Sequence, residues 1–267
     1  SLGGGSPLLA NTEAQARALG EAPGAGTFRV FIAMRHWHPL SARAAAEVAA
    51  WRPDRVVLLP LYPQYSTTTT GSSLAAWQRA AVGMDAPTAA VCCYPDVPDL
   101  IAAQARLVQG ELEAGAPARV LFSAHGLPER VIARGDPYRW QVERTVAAIA
   151  DLAGLDDWVV CYQSRVGPLV WIGPSIGDEI RRAGADAVSV VVVPVAFVSE
   201  HSETLYELDV LYRGIAERAG VAGYRRVPAL GADSGFIAAL AALARAAAAS
   251  EGVVSGAGGR LCPRGFA

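Results

Sequence analysis

Short runs of apolar and β-branched residues recur along the chain, each followed by a stretch in which apolar positions return every three to four residues. The apolar runs read as strands at 28–35 (FRVFIAMR), 55–61 (RVVLLPL), 89–95 (AAVCCYP) and 119–125 (RVLFSAH). Three more follow at 158–164 (WVVCYQS), 187–198 (AVSVVVVPVAFV) and 224–230 (YRRVPAL). The periodic stretches predict helices at about 40–51, 72–83, 98–113, 138–154, 176–185, 203–219 and 235–249. Strands that are apolar almost throughout are buried on both faces. Alternating with helices, they imply an α/β fold of parallel sheets flanked by helices. Gly115 and Pro117 punctuate EAGAPA (113–118), the candidate boundary between two halves.

Composition narrows the class. With 267 residues, 52% of them hydrophobic, the chain is too apolar for a disordered tail and long enough for a sizeable core. Its 23 basic and 25 acidic residues nearly cancel, and every basic residue is arginine. Without a broad cationic face, nucleic acid and an anionic membrane surface are poor partners. The longest apolar run, 187–198, contains Pro194 and falls short of the roughly 20 residues a membrane helix needs. No basic-then-apolar leader opens the chain. Cys92, Cys93, Cys161 and Cys262 lack CxxC spacing, so reduced thiols and a cytoplasmic location are expected.

Ligands of open α/β sheets gather beyond the carboxyl ends of the strands. Those ends carry Arg35, His36, Trp37 and His38, then the segment YPQYSTTTTGSS (62–73), then His125. Further on they carry Gln163, Ser164 and Arg165, and then Ser199 to Glu203. All four histidines of the chain lie at such ends, which points to a site without appeal to any family. A lone strand-end histidine is often only a hydrogen-bonded core residue, and early helix acids such as Glu200 and Glu203 often only complement the dipole. The second explanation does not cover His201, because a cation is unfavourable in the first turn. Imidazole beside carboxylate accepts protons near neutral pH and can touch a divalent metal. With neither HExxH nor paired CxxC, a closed zinc site is not expected. Trp171, in GPLVWIGP, is the tryptophan best placed against a flat ligand.

Four long segments, YPQYSTTTTGSS (62–73), SAHGLPERVIARGDPY (123–138), YQSRVGPLVWIGP (162–174) and PVAFVSEHSETLYELD (194–209), resemble the ferrochelatase family. GGGSPLLANTEAQA (3–16) and MRHWHP (34–39) match it too, so the resemblance runs from about residue 2 to about residue 250. It implies two Rossmann-like, chelatase-type domains with a cleft between them: 1–116, lacking its opening strand and lip, joined by the helix 235–249; then 117–234; then a tail, 250–267. The implied activity is insertion of ferrous iron into protoporphyrin IX, the terminal step of haem biosynthesis. The resemblance assigns catalysis to His125, His201, Glu203 and Glu207, and contact with the substrate iron to His125 and Glu203. It places Arg35, His36, Tyr65, Ser72 and Trp171 around the porphyrin. Two departures stand out: Leu211 replaces a further acid, and His36 replaces a tyrosine.

Protoporphyrin IX and ferrous iron are thus the expected partners, with no permanently bound cofactor; peripheral association with a membrane is left open. An iron–sulfur cluster is not expected, since such clusters need four thiolates. Only Cys262 lies in the tail, Thr67 replaces a ligand of cluster-bearing relatives, and Cys92 and Cys93 should point to opposite faces of a strand. Two alternatives stay open: a chelatase for another tetrapyrrole, such as coproporphyrin or a cobalt substrate, and a porphyrin-binding protein without turnover.

Overall fold

The computed structural model describes residues 5–22, 28–164 and 167–266. Arg165 and the first glycines of GGGSP lie outside the described residues. Helices α1 (Leu8–Glu21) and α2 (Ser41–Trp51) precede strand β1 (Val56–Leu58). A π-wound turn, Thr67–Gly71, runs into α3 (Ser72–Ala80), followed by β2 (Thr88–Val91) and α4 (Pro98–Glu113). Next come β3 (Ala118–His125), the short α5 (Glu129–Ile132), α6 (Tyr138–Ala153) and β4 (Trp158–Gln163). They lead to α7 (Ile176–Ala185) and β5 (Ser189–Pro194). A second π-wound segment, Glu203–Tyr212, continues into α8 (Arg213–Arg218), before β6 (Tyr224–Arg226), α9 (Ser234–Ala248) and β7 (Gly252–Val254).

Helix limits follow local chemistry. Pro98 at the first turn of α4 lacks only an N–H that has no helical partner there, and Asp99 faces the positive end of the dipole. Ser175 caps α7 by accepting from the Asp178 N–H at 3.1 Å, and Asp233 caps α9 by accepting from Gly235 and Phe236.

The strands form two parallel sheets, ordered β1-β2-β7 and β4-β3-β5-β6. In the second sheet the period of two sends alternate side chains to two cores. Val120, Phe122 and Ala124 of β3, with Val191 and Val193 of β5, meet α4 and α6. Leu121, with Val190 and Val192, meets α7 and α8 on the other face. Fully burying each such Val, Leu or Phe is worth about 1.5–3 kcal/mol, so these central strands are the rigid base of the site. The first sheet packs against α9 and α4 through Leu100, Phe236 and Leu240. Its other side meets α2 and α3 through Val48, Val56 and Trp77.

Helix α4 belongs to both halves: Leu100 and Ala103 face the first core, Ile101, Ala105 and Val108 the second. A buried polar seam also joins them. Asp136 accepts from the Thr67 N–H and hydroxyl, each at 2.7 Å, from the Ser66 hydroxyl and from the Tyr138 N–H. Gln64 donates to Thr145, and the Tyr65 N–H donates to Gln141.

Two expectations about strands are corrected. Segment 28–35 is not a sheet strand among the described residues: its one ladder contact is the Met34–Leu40 bridge. Its apolar side chains instead line a cavity shared with β1, the edge of the first sheet. An apolar run specifies burial, but a strand also needs a partner edge. Conversely, the tail expected after residue 250 supplies β7, whose Ala89–Gly252 to Val91–Val254 pairing completes the first sheet.

Candidate active site

The central strand β3 ends at His125, and the loop leaving its neighbour β5 brings His201 and Glu203 to the same sheet end. His125 Nδ1 lies 3.1 Å from Glu203 Oε2, and His201 Nε2 lies 3.8 Å from the same oxygen. Phe197 neighbours both rings, 6.4 Å from His125 and 5.0 Å from His201, centroid to centroid. The hydrogen bond from His125 chiefly, and the His201 ring next, hold the Glu203 carboxyl well below the usual carboxylate range, against a smaller opposing effect of burial. An ionised carboxylate only accepts, so His125 Nδ1 is the donor of this hydrogen bond, which leaves Nε2 as the lone-pair atom of the neutral imidazole. His201 Nδ1 is buried with no hydrogen-bond partner.

The segment before Glu203 is anchored by Glu200. Its Oε1 accepts from Arg226 Nη1 at 2.7 Å and from the Ala229 N–H at 2.8 Å, while Oε2 accepts from the Thr204 hydroxyl at 2.6 Å. Burial alone would raise the Glu200 pKa, but these donors outweigh it and lower it. Arg226 also holds Asp209 through two hydrogen bonds, at 2.6 and 2.9 Å.

These groups open onto a cavity of about 1710 Å³ walled mostly by apolar side chains. Arg35, His36 and Trp37 border it, as do Leu127, Pro128 and Trp171. Arg35 Nε donates to Ser72 Oγ at 2.8 Å. Trp171 is fixed beside His125 because its backbone bridges Pro128 and Ile172 donates to Leu127. Its indole N–H is buried without a partner. Tyr62 also lines the cavity, and burial raises its pKa against a hydrogen bond with Ser73 and the charge of Arg35.

The sequence-derived residues therefore separate. His125, His201, Glu203, Arg35, His36 and Trp171 border one cavity; Glu207, Tyr65 and Ser72 do not. Glu207 is not a cavity acid: its Oε2 accepts from Gln163 Nε2 at 3.0 Å and from Ser164 Oγ at 2.7 Å. Ser164 makes that bond from a φ of 60°, a left-handed conformation uncommon outside glycine. The helix expected at 203–219 is π-wound up to Tyr212, so Glu203 and Glu207 meet different partners. Tyr65 turns away from the cavity, with its hydroxyl 2.8 Å from where a Cβ on Gly71 would stand. Burial first, then the charge of Asp136, raises its pKa. Ser72 serves only through Arg35. Phe197 was hidden in an apolar run read as strand; β5 in fact stops at Pro194.

The opposite-face reading of Cys92 and Cys93 is also corrected. β2 ends at Val91, strand alternation lapses beyond it, and the two sulfurs lie 3.2 Å apart. The Cys92 thiol is lowered by its hydrogen bond with Cys93, and Cys93 is raised by the same contact. Cys262 Sγ, meanwhile, accepts from Gln141 Nε2 at 3.1 Å. Cys92 and Cys93 thus present their sulfurs side by side and not on opposite faces. Among the described residues, no group of three or more His, Cys, Asp or Glu has metal-holding geometry, and no helix is long and apolar enough to cross a membrane.

Comparison with known proteins bears on this geometry. A family model described as Ferrochelatase matches residues 1–248. A protein named Ferrochelatase from Caulobacter vibrioides is 55% identical over 271 residues, covering 98% of this chain and 78% of that protein. A Ferrochelatase from Hyphomonas neptunium is 50% identical, with coverages of 99% and 76%. Among solved structures, SirB from Bacillus subtilis with Fe3+ superposes with a TM-score of 0.63 at 14% identity, over 90% of this chain and 89% of that one. That likeness is one of fold alone.

Proposed function

The chain belongs to the ferrochelatase family, and on that premise we propose that His125, Glu203 and His201 are the groups that remove the pyrrole protons during metal insertion. The enzyme is a lyase of haem biosynthesis that inserts ferrous iron into a porphyrin. Protoporphyrin IX is the substrate we assign. One observation carries the reading: the 3.1 Å contact of His125 Nδ1 with an ionised Glu203, at the wall of a large apolar cavity.

Insertion breaks two pyrrole N–H bonds. Each nitrogen keeps its electron pair for the incoming iron, and each hydrogen leaves as a proton. Glu203 holds the Nδ1–H, so His125 Nε2 is the basic atom. A proton arriving there makes an imidazolium whose charge the adjacent carboxylate stabilises. His201, 3.8 Å from the same oxygen, offers the onward path. Before it takes a proton, His125 Nε2 would, with Glu203, also offer a nitrogen and an oxygen donor to the ferrous substrate. The apolar walls favour a macrocycle, Trp171 offers it a flat face, and Arg35 suits a propionate carboxylate. Distorting a bound ring toward the geometry of insertion draws roughly 1–5 kcal/mol from binding.

We further place the enzyme in the cytoplasm, a reading supported by four free thiols. The nearly balanced charge supports the absence of a nucleic-acid partner. The test is His125→Ala, followed by loss of protoporphyrin fluorescence as ferrous iron is added anaerobically, with coproporphyrin in parallel. We expect insertion to fall by about 10²-fold or more with circular dichroism unchanged. Near-normal turnover would sink the assignment of His125, and faster turnover of coproporphyrin would displace protoporphyrin IX.

A further inference from the structure

Helix α1 is unusual in what it buries: among its described residues the one fully buried side chain is a glutamine, Gln15. A buried primary amide is costly unless both its donors and its carbonyl are paired. Here all are. Gln15 Nε2 donates to the carbonyls of Val198, at 3.0 Å, and Gly231, at 2.9 Å, while Oε1 accepts from the Ser199 hydroxyl at 2.9 Å. One turn earlier on the same face, Asn11 Nδ2 donates to the Glu200 carbonyl at 2.8 Å. The Val198 carbonyl also accepts from the Gly231 N–H, so the knot joins the loop after β5 to the loop before α9.

The clamped residues, Val198 to Glu200, immediately precede His201. The last ladder residue before them is Pro194, so no sheet pairing fixes the segment that carries His201 and Glu203. Beyond the Gly231–Val198 backbone bond, side chains set its position: Glu200 on Arg226 and Ala229 from within the second half, Asn11 and Gln15 from α1.

We propose that Gln15 and Asn11 are positioning residues for proton transfer, holding the 198–203 segment so that Glu203 stays within hydrogen-bonding reach of His125. This rests on the assignment of Glu203 and His125 to proton removal. A hydrogen bond at 3.1 Å leaves little slack, since a separation of 3.6 Å is no longer one. Misplacement by 1 Å can cost about 10²-fold in rate.

The experiment compares Gln15→Leu, Gln15→Glu and Asn11→Ala in the whole chain, with Glu13→Gln, exposed on the same helix, as control and Glu203→Gln alongside. Rate and porphyrin KM are measured for ferrous insertion, with a pH–rate profile and Tm for each variant. We expect both Gln15 variants to lower kcat by about tenfold or more while porphyrin KM changes less than about threefold, and to displace the acid limb of the profile. Asn11→Ala should do the same more weakly, and Glu13→Gln should match the unaltered chain. A lower Tm with unchanged kcat and profile would overturn the proposal, leaving Gln15 as a tether for α1. Should the Gln15 variants fail to fold, Asn11→Ala decides: a lowered kcat with a displaced profile supports the proposal, and unchanged values overturn it. Retention of activity by Glu203→Gln would instead remove the reading beneath it.

Discussion

Replacing Glu203 with glutamine isolates the charge of the cluster from its shape. The side-chain carbonyl of a glutamine at this position still accepts from His125 Nδ1, so the 3.1 Å geometry is kept. The anion is lost. A hydrogen bond to a charged acceptor contributes about 1.5–3 kcal/mol, roughly twice a neutral one. What the substitution removes is the difference between the two, about 0.75–1.5 kcal/mol, and because Glu203 is 41% exposed, solvent screening holds it to the lower end. About 1.4 kcal/mol is a factor of ten in rate, so losing the carboxylate's hold on the His125 imidazolium costs about three- to fivefold. The weaker attraction to His201 at 3.8 Å carries the total to about tenfold. Glu207→Gln makes the comparison, since its two donors, Gln163 and Ser164, share one oxygen that a carbonyl replaces. We expect it to stay within about threefold of the unaltered rate, in line with a substitution that keeps both bonds. The assay is anaerobic ferrous insertion into protoporphyrin followed by fluorescence, with porphyrin saturating so that kcat is read directly. Equal effects at the two positions, or a loss under about threefold at Glu203, would refute an electrostatic role for that carboxylate.

Arg35→Leu should raise the porphyrin KM by about tenfold and leave kcat nearly unchanged, because it removes a charged contact with a substrate carboxylate and no reacting group; a kcat loss at constant KM would contradict this. Gly184→Ala should destabilise the chain by about 1–3 kcal/mol in urea unfolding, since a Cβ there would stand 2.1 Å from the Ala219 carbonyl oxygen and force α7 from α8; an unchanged midpoint would refute that packing. The depressed Glu203 pKa gives stability that is fully present above the unfolded value, about 4.3, and is lost as pH falls through the folded value. Denaturation near pH 3 compared with pH 6 should therefore show a smaller acid loss for Glu203→Gln than for the unaltered chain, by an amount reduced by solvent exposure.

Several features were legible because they depend on local chemistry. The limits of α4 at 98–113 and α7 at 176–185 follow from Pro98, from the Ser175 cap and from apolar spacing, all short-range signals. Parallel strands buried on both faces announce themselves as unbroken apolar runs, and β3 and β5 were read that way. Chain direction then carries His125 to the ligand end of its sheet, and the early-helix His201 is anomalous enough to notice.

What sequence alone did not determine is everything that needs a partner from elsewhere in the chain. Residues 28–35 are apolar enough for a strand, yet strand pairing requires an edge, and here they wall a cavity instead. Cys92 and Cys93 obey the alternation rule only inside a ladder, which stops one residue earlier. Tyr65 and Ser72 lie in the right segment, but the buried polar seam at Asp136 and the Arg35 contact decide which way that segment's side chains face. Gln15 carries no periodicity or capping signal, since an amide on a helix reads as a solvated position until the distant Val198 and Gly231 carbonyls arrive to satisfy it. Periodicity and capping act over a few residues and are written in the chain, whereas the orientation of a polar side chain is settled by whichever remote donor or acceptor makes its burial affordable.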